Sequence, residues 1–253
     1  MIFALFVILY VLFRVSAQTV YLAGDSTMAV GGGGSGTQGW GVFLGQFLTI
    51  PVVNNAVGGT SARSYSDQGR FNMIINAAKA GDFVIIEFGH NDVTSGAVDN
   101  GKQDAVGDGY DITSTVTAAN GTKILIHSYA YYIENAVLAL KNKGAIPIIS
   151  SLTPDNIWSG NTITAGGRFV TYAQSVGTRR AITYVDHFSY TAQAYNALGQ
   201  TKTTTFYPND HLHTSADGAL VVAQAFVRGL LCGNATLKSK VNAAGQSVPN
   251  GCL

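Results

Sequence analysis

Five short apolar segments, separated by longer stretches, constrain the fold of this chain more than any other feature. They cover residues 19–23, 51–57, 83–88, 145–150 and 181–186. Each is almost continuous in apolar and β-branched residues, which is typical of strands covered on both faces. Strands that alternate with helices predict an α/β fold with a parallel, doubly wound sheet. The functional groups of such a sheet gather at the carboxyl ends of its strands.

Helical patterns occupy much of the intervening sequence. The clearest spans 128–143 and is followed by Gly144, the residue type that most often ends a helix. The last spans 215–231, with Ser215 at a position that favours an N-cap. Shorter helices are predicted over 71–80, 166–178 and 190–198.

Two glycine-rich stretches, 31–39 and 94–121, break this alternation. Each is compatible with a loose surface loop, but each follows closely on the end of a strand. Loops in that position commonly carry binding and catalytic residues, so we expect both to rim the mouth of a site. No repeat or linker divides the chain, and residues 18–253 are predicted to form one domain.

The balance of apolar and charged residues excludes several classes of protein. The chain has 253 residues, of which 47% are hydrophobic and 11% charged, with a formal net charge of +1. The apolar content is enough to bury a core and argues against disorder. There is no basic stripe or charge run, so we expect neither nucleic acid nor an anionic membrane as a partner. Nothing in the sequence demands more than a monomer.

Residues 1–17 are typical of a secretory signal peptide. An apolar run over 2–13 precedes Ser16 and Ala17, whose small side chains suit a cleavage site. The run is shorter than the roughly 20 apolar residues that span a bilayer. An uncleaved membrane anchor is the alternative, which we rank lower because a folded domain is predicted from residue 18. We therefore expect a secreted, extracellular protein that leaves the membrane after cleavage.

The cysteines and two glycosylation sequons agree with secretion. Cys232 and Cys252 both lie near the C-terminus and would pair in an oxidising compartment, joining the tail to the last helix. Closing a loop of that size stabilises the fold by about 3 kcal/mol on the chain-entropy model. Asn120 and Asn234 each begin an Asn-X-Thr sequon and are candidates for N-glycosylation.

Ser26 is the first candidate for catalysis, in the tripeptide Gly24-Asp25-Ser26 directly after the first strand. A serine at the carboxyl edge of a sheet, where a helix can begin, can present its hydroxyl to a cleft as a nucleophile. Its own backbone N–H can point at an anion. Taken alone, such a tripeptide is more often a helix cap or a turn.

The segment Asp210-His211-Leu212-His213, before the last predicted helix, supplies a second group. Its spacing places Asp210 and His213 on one side of a turn. The carboxylate can then hold the imidazole Nδ1–H and leave Nε2 free as a base. Two alternatives are a helix cap and a metal site formed by Asp210, His211 and His213, for which His90 is the only further ligand we can name.

Donors for an oxyanion form the third group. Acyl transfer passes through a tetrahedral oxyanion, and one well-placed donor is worth about 10²–10³ in rate. Asn91 follows the third strand and can supply a side-chain N–H, and Gly58-Gly59 after the second strand can supply a backbone N–H without an obstructing Cβ. Each residue alone is more often part of a turn, but all these groups occur in an order that lets one cleft gather them.

The extended segments around these residues are YLAGDSTM (21–28), NAVGG (55–59), SARSY (61–65), EFGHND (87–92), YVDH (184–187) and DHLHTS (210–215). With the two cysteines, they resemble the SGNH (GDSL-like) hydrolase superfamily, and most closely its rhamnogalacturonan acetylesterases. The resemblance covers about residues 19–253.

The resemblance implies a three-layer α/β/α flavodoxin-like sandwich with a five-stranded parallel sheet. It implies that Ser26 is the nucleophile, His213 its base and Asp210 the partner that orients the base. The Ser26 N–H, the Gly59 N–H and the Asn91 side chain would form the oxyanion hole. The implied partner is acetylated rhamnogalacturonan, a pectin polysaccharide, which would be deacetylated without a metal or other cofactor.

One feature departs from that family, in which the loop after the asparagine segment can carry a second disulfide. Here residues 93–121 contain no cysteine, which leaves open how this loop is held. Two other functions also remain open at this point. One is a related secreted acetylesterase or lipase acting on xylan, another acetylated glycan or lipid esters. The other is a non-catalytic carbohydrate-binding protein with the same fold.

Overall fold

A computed structural model describes residues 17–93 and 97–253. Five parallel strands form its central sheet: β1 (Val20–Gly24), β2 (Val52–Asn54), β3 (Phe83–Glu87), β4 (Ile146–Ser150) and β5 (Thr183–Val185). Their order across the sheet is β2-β1-β3-β4-β5, which is the flavodoxin-like order. The predicted five-stranded parallel sheet is therefore confirmed. Apart from Ala17, the predicted signal peptide lies outside the described residues.

Helices cover both faces of this sheet. The α-helices in the described residues are α1 (Ala62–Asp67), α2 (Arg70–Ala77), α3 (Tyr129–Asn142), α4 (Arg168–Arg180), α5 (His187–Leu198), α6 (Gln200–Thr204), α7 (Ala216–Cys232) and α8 (Ala243–Gln246). Single turns of 3-10 helix span Trp40–Val42, Leu44–Phe47 and Thr236–Lys240. No helix in this part of the chain is both long and apolar enough to cross a bilayer.

Alternate residues of the inner strands enter two separate cores, one on each face of the sheet. In β3, Phe83 and Ile85 pack into the core that contains Phe226 of α7, whereas Val84 and Ile86 pack into the core formed by α1 to α4. All four β3 side chains are almost fully buried. The strands are apolar throughout because both faces are covered, and the result is the predicted three-layer sandwich.

The ends of two strands differ from the prediction for a local reason. The predicted strand 51–57 pairs regularly only as far as Asn54, whose side chain accepts from the Ala56 N–H at 3.0 Å and donates to the Met28 carbonyl at 2.8 Å. The Val57 N–H still donates to the Gly24 carbonyl at 2.9 Å. The chain therefore leaves the sheet gradually and delivers the following glycines to its carboxyl edge. The predicted strand 181–186 is reduced to β5 because Ala181 is left-handed (φ 48°) and Asp186 caps α5.

The five predicted helices correspond to α2, α3, α4, α5 and α7. Ser128 and Ser215 cap α3 and α7, each accepting a backbone N–H, and Gly144 beyond α3 has a φ of +77°. Helix α1 is not predicted by periodicity, because it has only six residues. Its start is fixed by a reciprocal capping box between Ser61 and Ser64.

Part of the stretch 94–121 is a β-hairpin, and the prediction of a loop there was wrong. Residues Thr113–Thr117 pair antiparallel with Lys123–His127. Most side chains of the first hairpin strand are exposed threonine or serine, so no apolar pattern marks it. Only Val116 is fully buried in that strand, in a small cluster with Ala105 and Ile126.

Polar contacts hold this cysteine-free segment against the body of the protein. Arg63 of α1 is buried, and its Nη1 donates to Asp99 Oδ1 at 2.9 Å and to the Gln103 carbonyl at 3.2 Å. The Arg63 Nε also lies 3.4 Å from Asp67 Oδ2. A guanidinium with several donors in a fixed geometry can fix a loop in this way without a covalent link.

A buried pair of carboxyls provides a second anchor. Asp92 and Asp104 are both almost fully buried, and their carboxyl groups lie close enough to influence each other's ionisation. Two buried carboxyl groups repel each other when both are ionised, and one can donate to the other only when it carries a proton. Burial raises the pKa of Asp92 to about 7 and raises that of Asp104 well above its usual range. The Asp92 Oδ1 also accepts the Ala62 N–H at 2.7 Å, so the pair joins three segments around α1.

The predicted disulfide is formed, and both glycosylation sequons lie on the surface. Cys232, at the end of α7, forms a disulfide with Cys252. Asn120, in the turn of the hairpin, and Asn234, just after α7, are both exposed. Both sequons are therefore accessible on the surface.

We predict that Asp104→Asn weakens the dependence of stability on pH. In the wild type, the folded state binds a proton more tightly than the unfolded state, so the free energy of unfolding decreases as pH rises from about 4 to 7. An amide at 104 donates to the Asp92 carboxylate without taking up a proton. Urea unfolding across this range should show a decrease smaller by roughly 2 kcal/mol in the variant.

The control is Asp111→Asn, which removes an exposed carboxyl from the same segment and should leave the pH dependence as in the wild type. Equal pH dependence in the wild type and in Asp104→Asn would contradict a shared proton.

Candidate active site

Ser26 lies in a tight turn immediately beyond the carboxyl end of β1. Asp25 holds this turn, because its Oδ1 accepts from the Thr27 N–H at 2.9 Å and from the Thr27 hydroxyl at 2.8 Å. The Asp25 carbonyl accepts the N–H groups of Met28 and Ala29. Burial raises the pKa of the Asp25 carboxyl. The turn is not followed by a regular helix, in contrast to the expectation that a helix can begin here.

The segment between α6 and α7 brings His213 to the Ser26 side chain. The Ser26 Oγ lies 2.8 Å from His213 Nε2, across 187 residues of sequence. On the other side of the ring, His213 Nδ1 lies 2.7 Å from Asp210 Oδ2. Since a carboxylate only accepts, Nδ1 carries the proton and Nε2 is free to accept the serine hydroxyl. The structure thus joins Asp210, His213 and Ser26 in one hydrogen-bonded chain.

Backbone hydrogen bonds fix the Asp210 carboxylate in this orientation. Its Oδ1 accepts the N–H groups of Leu212 and His213 at 2.8 and 2.7 Å. Partial burial acts to raise the pKa of Asp210, but the hydrogen bonds from the His213 ring, from its backbone and from Leu212 outweigh it, and the pKa is lowered. The carboxylate is therefore ionised and able to orient a histidine at neutral pH.

The glycine-rich loop after β1 contacts the other side of the histidine ring. A Cβ added at Gly33 would lie 2.3 Å from His213 Cγ and 2.4 Å from its Cδ2. No side chain fits there, so the Gly33 backbone packs directly on the imidazole. The glycine-rich composition of 31–39 predicts a loop at the mouth of a site, but not this contact, which only the folded chain reveals.

The turn that holds the predicted donor Gly59 approaches Ser26 through its neighbour Gly58. A Cβ at Gly58 would be 3.8 Å from the Ser26 Cβ, and Gly59 has a φ of +74°, which glycine adopts without strain. The Asn91 Nδ2 donates to the Thr60 carbonyl at 3.1 Å, so its amide adjoins this turn. Within the described residues, the backbone N–H groups of Ser26 and Gly59 donate no hydrogen bond to another protein atom.

Two other histidines named in the sequence analysis, His211 and His90, are not part of the hydrogen-bonded chain of Ser26, His213 and Asp210. His211 is exposed, and its carbonyl accepts the Asn156 N–H at 2.7 Å. His90 faces the segment after β4, with Nε2 3.4 Å from Thr153 Oγ1 and Nδ1 3.7 Å from Asp155 Oδ1. In the described ranges 17–93 and 97–253, no three His, Cys, Asp or Glu residues are grouped so as to hold a metal ion.

A buried network below the site was not predicted. Glu87, at the end of β3, is only 1% exposed. Its Oε1 accepts from Trp40 Nε1 at 2.8 Å, and its Oε2 lies 2.5 Å from Ser150 Oγ and 2.7 Å from His187 Nδ1. The His187 Nε2 donates to the Val222 carbonyl at 2.9 Å. One indication of this network was present in the sequence: Glu87 is a charged residue at the end of an apolar strand, and His187, further along the chain, can pair with it.

Comparisons with known sequences agree with this geometry. The GDSL-like Lipase/Acylhydrolase family matches residues 20–226. A rhamnogalacturonan acetylesterase of Emericella nidulans is 46% identical over 222 residues, which are 87% of this chain and 88% of the relative. A probable rhamnogalacturonan acetylesterase of Bacillus subtilis is 23% identical over 85% of this chain and 93% of its own length.

Solved structures share the fold. A crystal structure of a Bacillus subtilis protein matches with a TM-score of 0.68 and 20% identity, over 85% of this chain and 56% of that protein. An acetylxylan esterase from Geobacillus stearothermophilus matches with a TM-score of 0.54 and 18% identity, over 85% of this chain and 94% of that one. At these identities the likeness concerns the architecture alone.

The family match extends over most of the chain, and it includes the segment from β1 to α7 that builds the site. Together with the relative of 46% identity, it shows that this chain belongs to the GDSL-like lipase/acylhydrolase family and is an esterase.

Proposed function

We propose that this protein is a secreted rhamnogalacturonan acetylesterase, which removes acetyl groups from a pectin polysaccharide by a Ser-His-Asp mechanism. The observation that carries the mechanism is the chain of two hydrogen bonds, 2.8 Å from Ser26 to His213 and 2.7 Å from His213 to Asp210. The 46% identical relative of that name supports the substrate.

In the proposed reaction, His213 Nε2 takes the proton of the Ser26 hydroxyl as Oγ attacks the acetyl carbonyl carbon. The imidazolium, held by Asp210, then gives this proton to the departing sugar oxygen, and the ester C–O bond breaks. Water, deprotonated by the same histidine, attacks the acetyl-serine; the bond from the acetyl carbon to Oγ breaks, acetate leaves, and His213 returns the proton to Ser26 Oγ. The reaction uses groups of this chain alone and needs no metal or cofactor.

The negative charge that forms on the carbonyl oxygen needs donors that are already in place. We assign this role to the Ser26 N–H, the Gly59 N–H and the Asn91 side-chain amide. Free backbone N–H groups beside the nucleophile support the assignment, because donors aimed at the developing charge need no reorganisation during the reaction.

Secretion is supported by features at both ends of the chain. Residues 1–17 have the pattern of a signal peptide, and residues 18–253 would then be the mature catalytic domain. The Cys232–Cys252 disulfide suits an oxidising compartment, and the exposed Asn120 and Asn234 are open to glycosylation. We expect the secreted enzyme to act as a monomer, free of the membrane.

Acetate release tests this function directly. The wild type should release acetate from acetylated rhamnogalacturonan faster than from acetylated xylan, and Ser26→Ala should lose at least about 10⁴-fold in kcat on any ester, because the nucleophile is gone. A serine-directed organophosphate should label the wild type and not the variant. Circular dichroism of Ser26→Ala controls for folding.

Each of the other outcomes contradicts a specific part of the proposal. Preference for acetylated xylan would reject the substrate, retained turnover by Ser26→Ala would reject the nucleophile, and binding without turnover would indicate a carbohydrate-binding protein.

For Asn91→Ala, we predict a decrease in kcat of about 10²–10³-fold with little change in KM, because the donor acts mainly on the transition state. Steady-state kinetics on 4-nitrophenyl acetate measure both constants. Asn135→Ala, an exposed position on α3, should leave them unchanged. A loss confined to KM would mean that Asn91 only shapes the site.

For Gly33→Ala, we predict a decrease in kcat of about 10- to 100-fold, because the added methyl group must displace the His213 ring from Ser26. Gly45→Ala is the matched control, since its Cβ would lie at an ordinary 3.8 Å from Val52 Cβ. Kinetics and thermal unfolding of both variants separate a displaced base from a destabilised fold. Wild-type kcat in Gly33→Ala would show that the ring has room to move.

A further inference from the structure

Lys102 places its side-chain ammonium next to the proposed oxyanion hole. A Cβ built on Gly59 would lie 3.6 Å from the Lys102 Nζ, which makes the ammonium a neighbour of the turn that carries the Gly59 N–H. Lys102 comes from the segment after β3 and is otherwise exposed. An exposed cation therefore stands beside the Gly59 turn, where it can meet the group that carries the ester.

The backbone of Lys102 is held firmly. The Asn100 Oδ1 accepts the N–H groups of Lys102 and Gln103, each at 2.8 Å. Gln103 is buried, and its side chain accepts the Asn100 N–H and donates to the Val98 carbonyl. Arg63 binds the same turn through Asp99. The lysine therefore projects from a fixed base, and its position beside the cleft is a constant feature of the fold.

The charges nearby leave this ammonium unneutralised. Asp67 and Asp99 pair with the Arg63 guanidinium, and Asp92 and Asp104 are almost fully buried. Within residues 17–93 and 97–253, no carboxylate forms an ion pair with Lys102. A lysine with no acid to pair with, at the mouth of a cleft, attracts an anionic group of a ligand.

We propose that Lys102 binds a carboxylate of an acidic polysaccharide, next to the acetyl group that is removed. This inference rests on the proposed function, and it adds the group by which the site would distinguish uronate-containing polymers from neutral acetylated glycans. Rhamnogalacturonan carries a carboxylate on each galacturonate unit, whereas a xylose backbone carries none. An acetyl oxygen bound at the Gly59 N–H would bring its sugar to the turn beside which the Lys102 ammonium lies.

The Lys102 ammonium has one alternative role, which predicts different kinetics from carboxylate binding. Lys102 is also close enough to Gly59 to stabilise the oxyanion itself. That role would accelerate the hydrolysis of every ester equally, because the oxyanion forms from all of them. Binding of a uronate carboxylate would act only on acidic substrates and mainly through KM, so the two roles are separable by kinetics.

The test compares Lys102→Gln and Lys102→Arg with the wild type on acetylated rhamnogalacturonan and on neutral 4-nitrophenyl acetate. For Lys102→Gln, we expect KM on the polysaccharide to rise roughly three- to tenfold, with kcat and KM on the aryl ester unchanged. Lys102→Arg, which keeps the charge, should retain most of the affinity. Raising the salt concentration should increase the wild-type KM on the polysaccharide and have less effect in Lys102→Gln, because salt screens an exposed ion pair.

Lys143→Gln is the control for the loss of one charge. Lys143 lies between α3 and the start of β4, at the amino-terminal ends of the strands, whereas the candidate site lies at their carboxyl ends. A wild-type KM in Lys102→Gln would overturn this inference and leave the proposed function intact. A fall in kcat on both substrates would overturn it in favour of oxyanion stabilisation. No acetate release by the wild type from rhamnogalacturonan, with aryl acetate still hydrolysed, would instead reject the substrate and this inference with it.

Discussion

The buried carboxylate of Glu87 connects the elements that surround the active site. Its partners come from three places: Trp40 from the loop after β1, Ser150 from the end of β4, and His187 from the start of α5. A buried carboxylate that loses one partner costs about 3–5 kcal/mol, so a conformation that satisfies all three is strongly favoured. Because Glu87 ends the central strand β3, this requirement fixes the carboxyl edge of the sheet. The turn that holds Ser26 follows β1, and the turn that holds Gly58 and Gly59 follows β2, the two strands on one side of β3.

The sheet was predictable because its strands are covered on both faces and therefore remain apolar throughout. The order of the strands followed from the resemblance, and the ends of the strands depended on local chemistry that no periodic pattern shows, as at Asn54. The hairpin strand Thr113–Thr117 was out of reach for a different reason. Its side chains are mostly exposed, and it is held by pairing with Lys123–His127 and by the burial of Val116 against Ala105 and Ile126, which no periodic pattern shows.

Much of the candidate site could also be foreseen, because each reactive group stands in a short motif next to a strand or a helix. Ser26, Asn91 and His213 were named from such motifs, and the structure brings them to one edge of the sheet. What sequence reasoning missed are residues whose role depends on a partner distant in sequence. Gly33 reads as one glycine among several until the His213 ring is found against it, and Lys102 reads as an ordinary surface lysine until the fold places it beside Gly59.

The hydrogen bond between Ser26 and His213 joins positions 187 residues apart, and this separation has a consequence for how activity arises during biosynthesis. All five strands of the sheet precede residue 186. A chain synthesised as far as α6 thus contains the residues of every strand of this sheet but not His213, the proposed base. If His213 is the base, as we propose, ester cleavage requires the segment that follows α6 in addition to the complete sheet.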